Sequence, residues 1–535
     1  MAITTPPAPS GTRRPPRIPA GTAALAAVLA VAAALGVGEL VAALVSPASS
    51  PFLAVGQTAI RLTPEWLKEF AIANFGVYDK VALLSGMAVV IALIAVAAGV
   101  ASRQDDRPGL VVVAVMGVLG LLAVLSAPTF APLDLVAPFA ALLAGIGAWT
   151  AMHRAATALA DADADADAVA EDADDDEVWS AVAPARRRVL LTMGGVAAAA
   201  GLAGLAGRLL ATGGGSPSSI GPLPTAAGPP PAPVVGADYA ALGTPTWLTS
   251  AADFYRIDTA LSVPRLSTAT WSLRIHGMVD RELTLSWDQL RSRRLIEAPV
   301  TLTCVSNEVG GNLISNGRWL GVPIADLLAE VGVQPGAEQI ASTSSDGWNA
   351  NTPLGPLTDG RPAMLAIGLN GEPLPVEHGF PVRMVVPGLY GYVSACKWIT
   401  DIEVTTFAAF TSYWELRGWG QQGPVKTESR IDVPRADATV PAGPTTLAGV
   451  AWAQHTGIDG VEVRVDGGAW QPAELAAEPT TDAWRMWKLA TTLAPGPHQL
   501  QVRATDRSGY TQTEQVVPSI PDGATGWHTV AVTAV

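Results

Sequence analysis

Five apolar runs, at residues 21–46, 81–101, 109–127, 132–152 and 189–211, take up most of the first 211 residues. Each is close to the ~20 residues needed to cross a bilayer core as a helix. A chain that is 49% hydrophobic and only 15% charged is poorly matched to an ordinary water-soluble globule. The N-terminal half therefore reads as an all-α transmembrane bundle: a cytoplasmic tail over 1–19, a four-helix module over 20–155, an acidic cytoplasmic loop over 156–186 and a fifth span over 187–211.

Basic residues orient the bundle. Arg13, Arg14 and Arg17 precede the first run, Arg103 and Arg107 lie between the second and third, and Arg154 and Arg186–Arg188 lie between the fourth and fifth. All three groups fall on one side if every run spans. The reading is a multi-pass protein of the cell membrane with membrane lipid as a partner, its N-terminus cytoplasmic and everything after residue 212 extracytoplasmic. Arg61, Lys68 and Lys80 run against this count, and residues 63–70 read as an amphipathic helix at the outer interface. Glu39, costly inside a span, is either a functional group or one satisfied near the outer end, and the second reading is favoured. Arg187-Arg188-Val189-Leu190-Leu191 reads equally as an internal twin-arginine signal or as ordinary positive-inside charge.

The net charge of -14 comes mainly from residues 161–177, whose ten acidic side chains leave about -4 elsewhere; this tract reads as a solvated loop. No basic, aromatic-interleaved segment occurs, so nucleic acid is not expected as a partner. Of six histidines only His153 lies near a span. That excludes bis-histidine haem in the bundle, and with no CxxCH motif no haem is expected in this chain.

Residues 212–250, rich in Gly, Pro and Ser, read as a tether. Residues 251–436 show mixed strands and short helices, an α+β pattern: strands at 271–277 and 381–387, a strand running into a Ser286-capped helix, and an amphipathic helix over 323–331. Residues 437–535 give short alternating strands with hairpin signals such as Asp466-Gly467. These suggest an immunoglobulin-like sandwich. The fold class is thus multi-domain: transmembrane bundle, α+β domain, all-β sandwich.

Within the α+β region, Thr301-Leu302-Thr303-Cys304-Val305-Ser306-Asn307-Glu308-Val309-Gly310-Gly311-Asn312 places a cysteine where an apolar run meets a Gly/Asn-rich turn. With two cysteines in the chain, Cys304 is more readily a metal ligand or nucleophile than part of a disulfide framework. A buried free thiol and a pairing with Cys396 are the alternatives. Arg383 sits in an apolar strand, where a cation needs an anionic partner.

These residues carry a resemblance. FYRIDTALSVP (254–264), TLTCVSNEVGGN (301–312), RWLGVPIADLL (318–328), HGFPVRMVVPGLYGYVSACKW (378–398) and GVEVRVDGGAW (460–470) resemble, in order, the sulfite oxidase family of molybdopterin oxidoreductases with its C-terminal dimerisation-type domain. The helical module is similar to that of membrane-bound actinobacterial members. The resemblance implies a molybdenum–molybdopterin cofactor with Cys304 as the protein ligand to the metal. It implies cofactor contacts from Tyr255, Arg256, Ser344, His378, Arg383, Ala395, Cys396 and Lys397, with Arg361 a weaker candidate, and catalytic roles for Cys304, Arg256 and Tyr255. It also implies 251–436 as the catalytic domain, 437–535 as the dimerisation-type domain of a possible homodimer, a small-molecule substrate, and a separate electron carrier (a cytochrome or quinone-linked protein). The expected reaction is oxygen-atom transfer to or from a small oxyanion or S/N-oxide. The alternatives are methionine-sulfoxide repair and a non-enzymatic membrane receptor or scaffold. Sulfite-oxidising members have Arg-Asn-His where this chain has Arg256-Ile257-Asp258, and Asp258 would oppose an anion if it points inward.

Overall fold

The computed structural model describes residues 17–64, 67, 70, 74–75, 79–127, 130–169, 175–212, 220–227 and 235–535. The chain divides into two compact units, Met1–Gly213 and Gly214–Val535.

The first unit is helical: α1 (Ala20–Val45), α2 (Pro51–Leu62), α3 (Asp79–Ala101), α4 (Arg107–Leu125), α5 (Val136–Val169) and α6 (Asp175–Thr212). All but α2 are long and apolar enough to cross a membrane. The buried face of α1 is made of Ala23, Ala26, Ala27, Ala30, Ala33, Gly36, Gly38 and Ala42. Such small residues let helix backbones approach closely: a Cβ on Gly99 would collide with the Ala23 carbonyl oxygen, and one on Gly207 with the Glu39 backbone. Large apolar side chains such as Val89, Leu93, Leu119, Leu143 and Leu205 point outward. That arrangement is compatible with a lipid surround. Glu39 accepts a hydrogen bond from the Ser50 hydroxyl, which fits the satisfied reading of that carboxyl.

One expectation is corrected here. The acidic tract is not all loop, since 161–169 continue α5 and 175–177 begin α6. The preceding span has already nucleated that helix and alanine extends it at little cost, while Arg186 of α6 pairs with Asp163 at 3.5 Å. Helix α2 was not foreseen, whereas the interfacial helix expected over 63–70 lies largely outside the described residues.

The second unit holds four sheets. Strands β1 (Ser272–Gly277), β2 (Leu283–Ser286), β5 (Gln339–Ser344), β6 (Asn349–Pro353) and β10 (Ile399–Thr405) form one in the order β2-β1-β10-β5-β6. Strands β3 (Ile296–Thr303), β4 (Ile314–Pro323), β7 (Met364–Leu369) and β8 (Glu372–Pro373) form a second, with β9 (Arg383–Val385) paired to β7. Ser286 caps the following helix α7 (Trp287–Arg291) in a capping box with Gln289. Helix α8 (Ile324–Val331) buries Ile324, Leu327, Leu328 and Val331. The strand expected over 381–387 is shorter than that.

The all-β part begins with β11 (Glu428–Val433), earlier than the expected boundary at 437. This strand pairs with β13 (Gly443–Trp452), which pairs in turn with β17 (Arg485–Leu493), and β17 with the short β16 (Glu474–Leu475). The fourth sheet contains β12 (Ala438–Val440), β14 (Ile458–Val465), β15 (Gln471–Pro472), β18 (Gly496–Asp506) and β19 (His528–Ala534). Residues from both sheets (Ile431, Leu447, Trp487, Val463, Leu500, Val530) share one apolar cluster. Asp466 and Gly467, at φ +53° and +69°, supply the turn expected after β14.

Where described, the expected tether is not free. Ile220 and Leu223 pack on the core of the α+β part, and the Trp247 carbonyl accepts from Trp484 Nε1 at 2.9 Å. Apolar side chains in a Pro-rich segment bury when a surface is available.

Candidate active site

Strand β3 delivers Cys304 to its end, where the Cys304 carbonyl accepts from the Asn307 amide at 3.0 Å and starts a turn. The Asn307 carboxamide oxygen accepts from the Leu313 amide at 2.8 Å and closes that turn. Gly310, at φ +77°, lies so close to the His528 ring that a Cβ would collide with it. The C-terminal sheets clamp the segment: Gln454 Nε2 donates to Thr303 Oγ1 at 2.8 Å, and Arg430 Nη1 donates to the Gly311 carbonyl at 2.6 Å. Cys304 and Cys396 are both free thiols. The alternative of a disulfide is therefore not realised. Cys304 is partly exposed, whereas Cys396 is fully buried in the apolar core. Burial pushes the Cys396 thiol up, with Asp346 adding to the push and Ser342, Arg383 and Lys397 opposing it.

Tyr255 stands beside Cys304. Its amide donates to Ser315 Oγ at 3.0 Å and its ring stacks on Phe254 at 5.8 Å. Burial, then the neighbouring Cys304, pushes its phenol up, while Arg383 pulls the other way. Burial also pushes the Cys304 thiol up, opposed by hydrogen bonds from Ser306. Such a thiol gives up its proton when a metal cation binds.

Arg383 is 5% exposed. Its nitrogens make only long bonds, of 3.3–3.4 Å, to the carbonyls of His378, Met384 and Ala395, and its guanidinium lies 5.0 Å from the Trp319 ring centroid. It has no carboxylate partner among the described residues. Burial pulls it down to about 10, so it stays charged at neutral pH. The Ala395 amide is already donated to the Gly391 carbonyl, and what Ala395 contributes is the carbonyl that holds Arg383.

His378 donates from Nε2 to the Ala251 carbonyl at 3.0 Å, which leaves Nδ1 as an acceptor. Burial first and Arg383 second bring it down to about 4, so the ring is neutral at neutral pH. Lys397 Nζ lies 4.5 Å from the Trp398 ring centroid and donates to Asp258 Oδ2 at 2.9 Å. Burial pulls the ammonium down to about 8, against the pull of Asp258. Asp258 also takes Arg256 Nε at 3.0 Å. The Ser345 amide, bonded to the Trp398 carbonyl at 2.9 Å, brings the 344–346 turn to this edge. There Ser344 faces the carboxyl of Asp346, which burial pushes up.

The fold therefore assembles Tyr255, Arg256, Cys304, Ser344, His378, Arg383, Ala395 and Lys397. Arg361 is engaged elsewhere, paired with Asp359 and the Pro387 carbonyl. Sequence reading missed Trp319, Asn307 and Asp346, and did not foresee that Asp258 would tie two cations together. Only the spacing of Arg256 and Asp258, two residues apart, hinted at that pairing.

The arrangement has matches elsewhere. Residues 260–414 match the model of the oxidoreductase molybdopterin binding domain. The chain is 31% identical over 308 residues to human mitochondrial sulfite oxidase, covering 48% of this chain and 56% of that protein. It is 33% identical over 153 residues to the uncharacterized oxidoreductase YuiH of Bacillus subtilis, covering 29% of this chain and 74% of the relative. The chain belongs to the sulfite oxidase family of molybdopterin oxidoreductases. A similar solved structure is the sulfane dehydrogenase SoxCD of Paracoccus pantotrophus, with a TM-score of 0.47 and 23% identity over 53% of this chain and 80% of that one. The chain spans little more than half the length of the mammalian sulfite oxidases it matches.

Membership implies a molybdopterin cofactor, and the residues present fit one. A buried guanidinium without a carboxylate calls for an anion such as a phosphate. The buried Asn307 Nδ2 has no partner among the described residues. A partly exposed thiol offers the soft sulfur that such a metal prefers.

Proposed function

We propose that this oxidoreductase is anchored in the cell membrane, with residues 251–436 as an extracytoplasmic catalytic domain that transfers an oxygen atom to or from a small oxyanion or S/N-oxide. The observation that carries the reading is a charged, buried Arg383 without a carboxylate in the same cluster as the partly exposed Cys304. When bound, molybdopterin supplies the two-electron change that oxygen transfer requires. In this reading Cys304 is the protein's ligand to the metal. Arg383, steadied by the Ala395 carbonyl, and Lys397 would hold the cofactor's anionic end, neutral His378 would orient the pterin through a hydrogen bond, and Ser344 and the backbone at 396–397 would complete the cradle. Tyr255 keeps its proton across the working pH range and would be a hydrogen-bond donor to substrate. Arg256, the most exposed cation of the cluster, meets substrate at the mouth.

The five long apolar helices support the membrane anchor, and Arg103, Arg107, Arg154 and Arg186–Arg188 support an outward-facing second unit. A cytochrome or quinone-linked protein would exchange electrons, and the sheets from β11 onward would also serve a homodimer. The test is molybdenum content with a sulfite and sulfoxide activity panel on wild type and Cys304→Ala. The substitution is expected to lower kcat by about 100-fold or more, beyond the effect typical of residues behind a metal's direct ligands. Unchanged turnover sinks the reading.

A further inference from the structure

Strand β3, which ends at Thr303 and delivers Cys304, is the edge strand of its sheet. Pairing with β4 fixes one side of it, and the amides and carbonyls of an edge strand's other side need partners from elsewhere. Two loops of the all-β part take that edge. The Asp482 carbonyl accepts from the Thr301 amide at 3.0 Å, and the Trp484 amide donates to Thr301 Oγ1 at 2.8 Å. From the other loop, Gln454 Nε2 donates to the Thr301 carbonyl at 3.3 Å and to Thr303 Oγ1 at 2.8 Å.

These loops leave the β13–β17 ladder at its last pair, Ala451 with Arg485. Beyond that pair His455 joins them twice. Its amide donates to the Thr481 carbonyl at 2.9 Å, and its Nδ1 donates to Asp482 Oδ1 at 3.1 Å. The carboxylate is the buried partner, with 9% of its side chain exposed against 39% for the imidazole. His455 holds φ at +70°, a left-handed conformation that a residue with a Cβ keeps only where its surroundings dictate it. On its far side the same turn abuts Gly388, where a Cβ would lie 3.3 Å from that of His455.

Resting on the reading of Cys304 as the metal's ligand, we propose that His455 and Asp482 are a positioning pair for that thiol. By locking the two loops together they fix the outer edge of β3, and with it the direction in which Cys304 presents its sulfur. The pair acts through Gln454, Thr301 and Thr303, the last two just ahead of the cysteine. Without the lock the loops part and the end of the strand opens locally.

The test begins with detergent-solubilised, cofactor-free, full-length protein and iodoacetamide, with the labelling of each cysteine followed separately by mass spectrometry. Cys396, being buried, reports global opening. His455→Gly removes the side-chain bond and leaves the left-handed backbone unstrained, so its effect is that of the bond alone. This variant and Asp482→Ala are each expected to raise the Cys304 labelling rate about tenfold with Cys396 unchanged. The double variant should do no more than either, since both remove one interaction. His455→Asn, which suits the left-handed backbone and still offers a donor, should restore the wild-type rate. In molybdenum-loaded protein the electron paramagnetic resonance signal, which senses how the sulfur is directed at the metal, should split into more than one species in His455→Gly but not in His455→Asn. A wild-type Cys304 rate or an unsplit signal in His455→Gly, or Cys396 labelling that rises in step, overturns the inference. Asp482→Asn keeps the shape, weakens the bond and should give an intermediate rate; a wild-type rate there also overturns it, even if the other variants fail to fold. Full molybdenum retention by Cys304→Ala would instead defeat the ligand reading, whatever the labelling rates.

Discussion

Arg383 shows how one residue can be unfavourable for the empty fold and still belong there. A guanidinium held by long bonds to three carbonyls carries a desolvation penalty that a bound anion would offset. Arg383→Met should stabilise the cofactor-free protein by about 1–3 kcal/mol in denaturant melts while abolishing molybdenum retention. A loss of stability without cofactor would mean that the charge serves the fold. Glu428 is another buried charge-bearing group, 3% exposed, with one carboxyl oxygen unpartnered among the described residues. Burial pushes it up to about 8, against 4.5 in an open chain. Its folded pKa is raised, so its contribution is present below about pH 4.5 and is lost as the pH rises through about 8. Glu428→Gln should flatten that decline, which is on the order of a few kcal/mol; a melting temperature with the wild-type pH slope would refute the assignment.

Among the elements, the pairing of β4 with β7 matters most to the site, because β7 in turn carries β9 and Arg383. Gly321 lets β4 approach: a Cβ there would collide with the Leu365 carbonyl oxygen and lie 2.7 Å from the Ala366 Cα. Gly321→Ala is expected to cost about 2 kcal/mol or more and to release the cofactor before global unfolding. The readout is molybdenum loss measured alongside circular dichroism through a temperature ramp; unchanged loading and melting would show that the sheet can give. The turn after β3 depends in the same way on distant strands, since Gln454, Arg430 and His528 hold it from the C-terminal sheets. The all-β part thus buttresses the cysteine segment of its own chain.

For the molecule as a whole, the arrangement of small residues inward and large apolar ones outward in the helical unit leads to a prediction about location. The protein should sediment with membranes, resist extraction by high salt and alkaline carbonate, and dissolve in detergent. External protease on spheroplasts should cleave residues 214–535 and spare the Arg103–Arg107 loop. Release by salt alone, or protection of the C-terminal half, would contradict the anchoring or its direction.

Composition and local pattern determined the long apolar helices, the capped helix after Ser286, the alternating strands from β13 onward and the identity of Cys304, Arg383 and Lys397 as unusual residues. These follow from periodicity and from the cost of placing polar groups in apolar runs, which are properties of neighbouring residues. Other features needed the folded chain: that Cys396 turns into the core instead of pairing, that the Pro-rich segment packs down, that α5 runs on through the acidic repeat, and that Asp258 bridges Arg256 and Lys397. Residues 258 and 397 are far apart in sequence, and only strand pairing and core packing bring them to 2.9 Å. A buried ion pair of this kind joins distant neighbours, so tertiary structure alone could decide it.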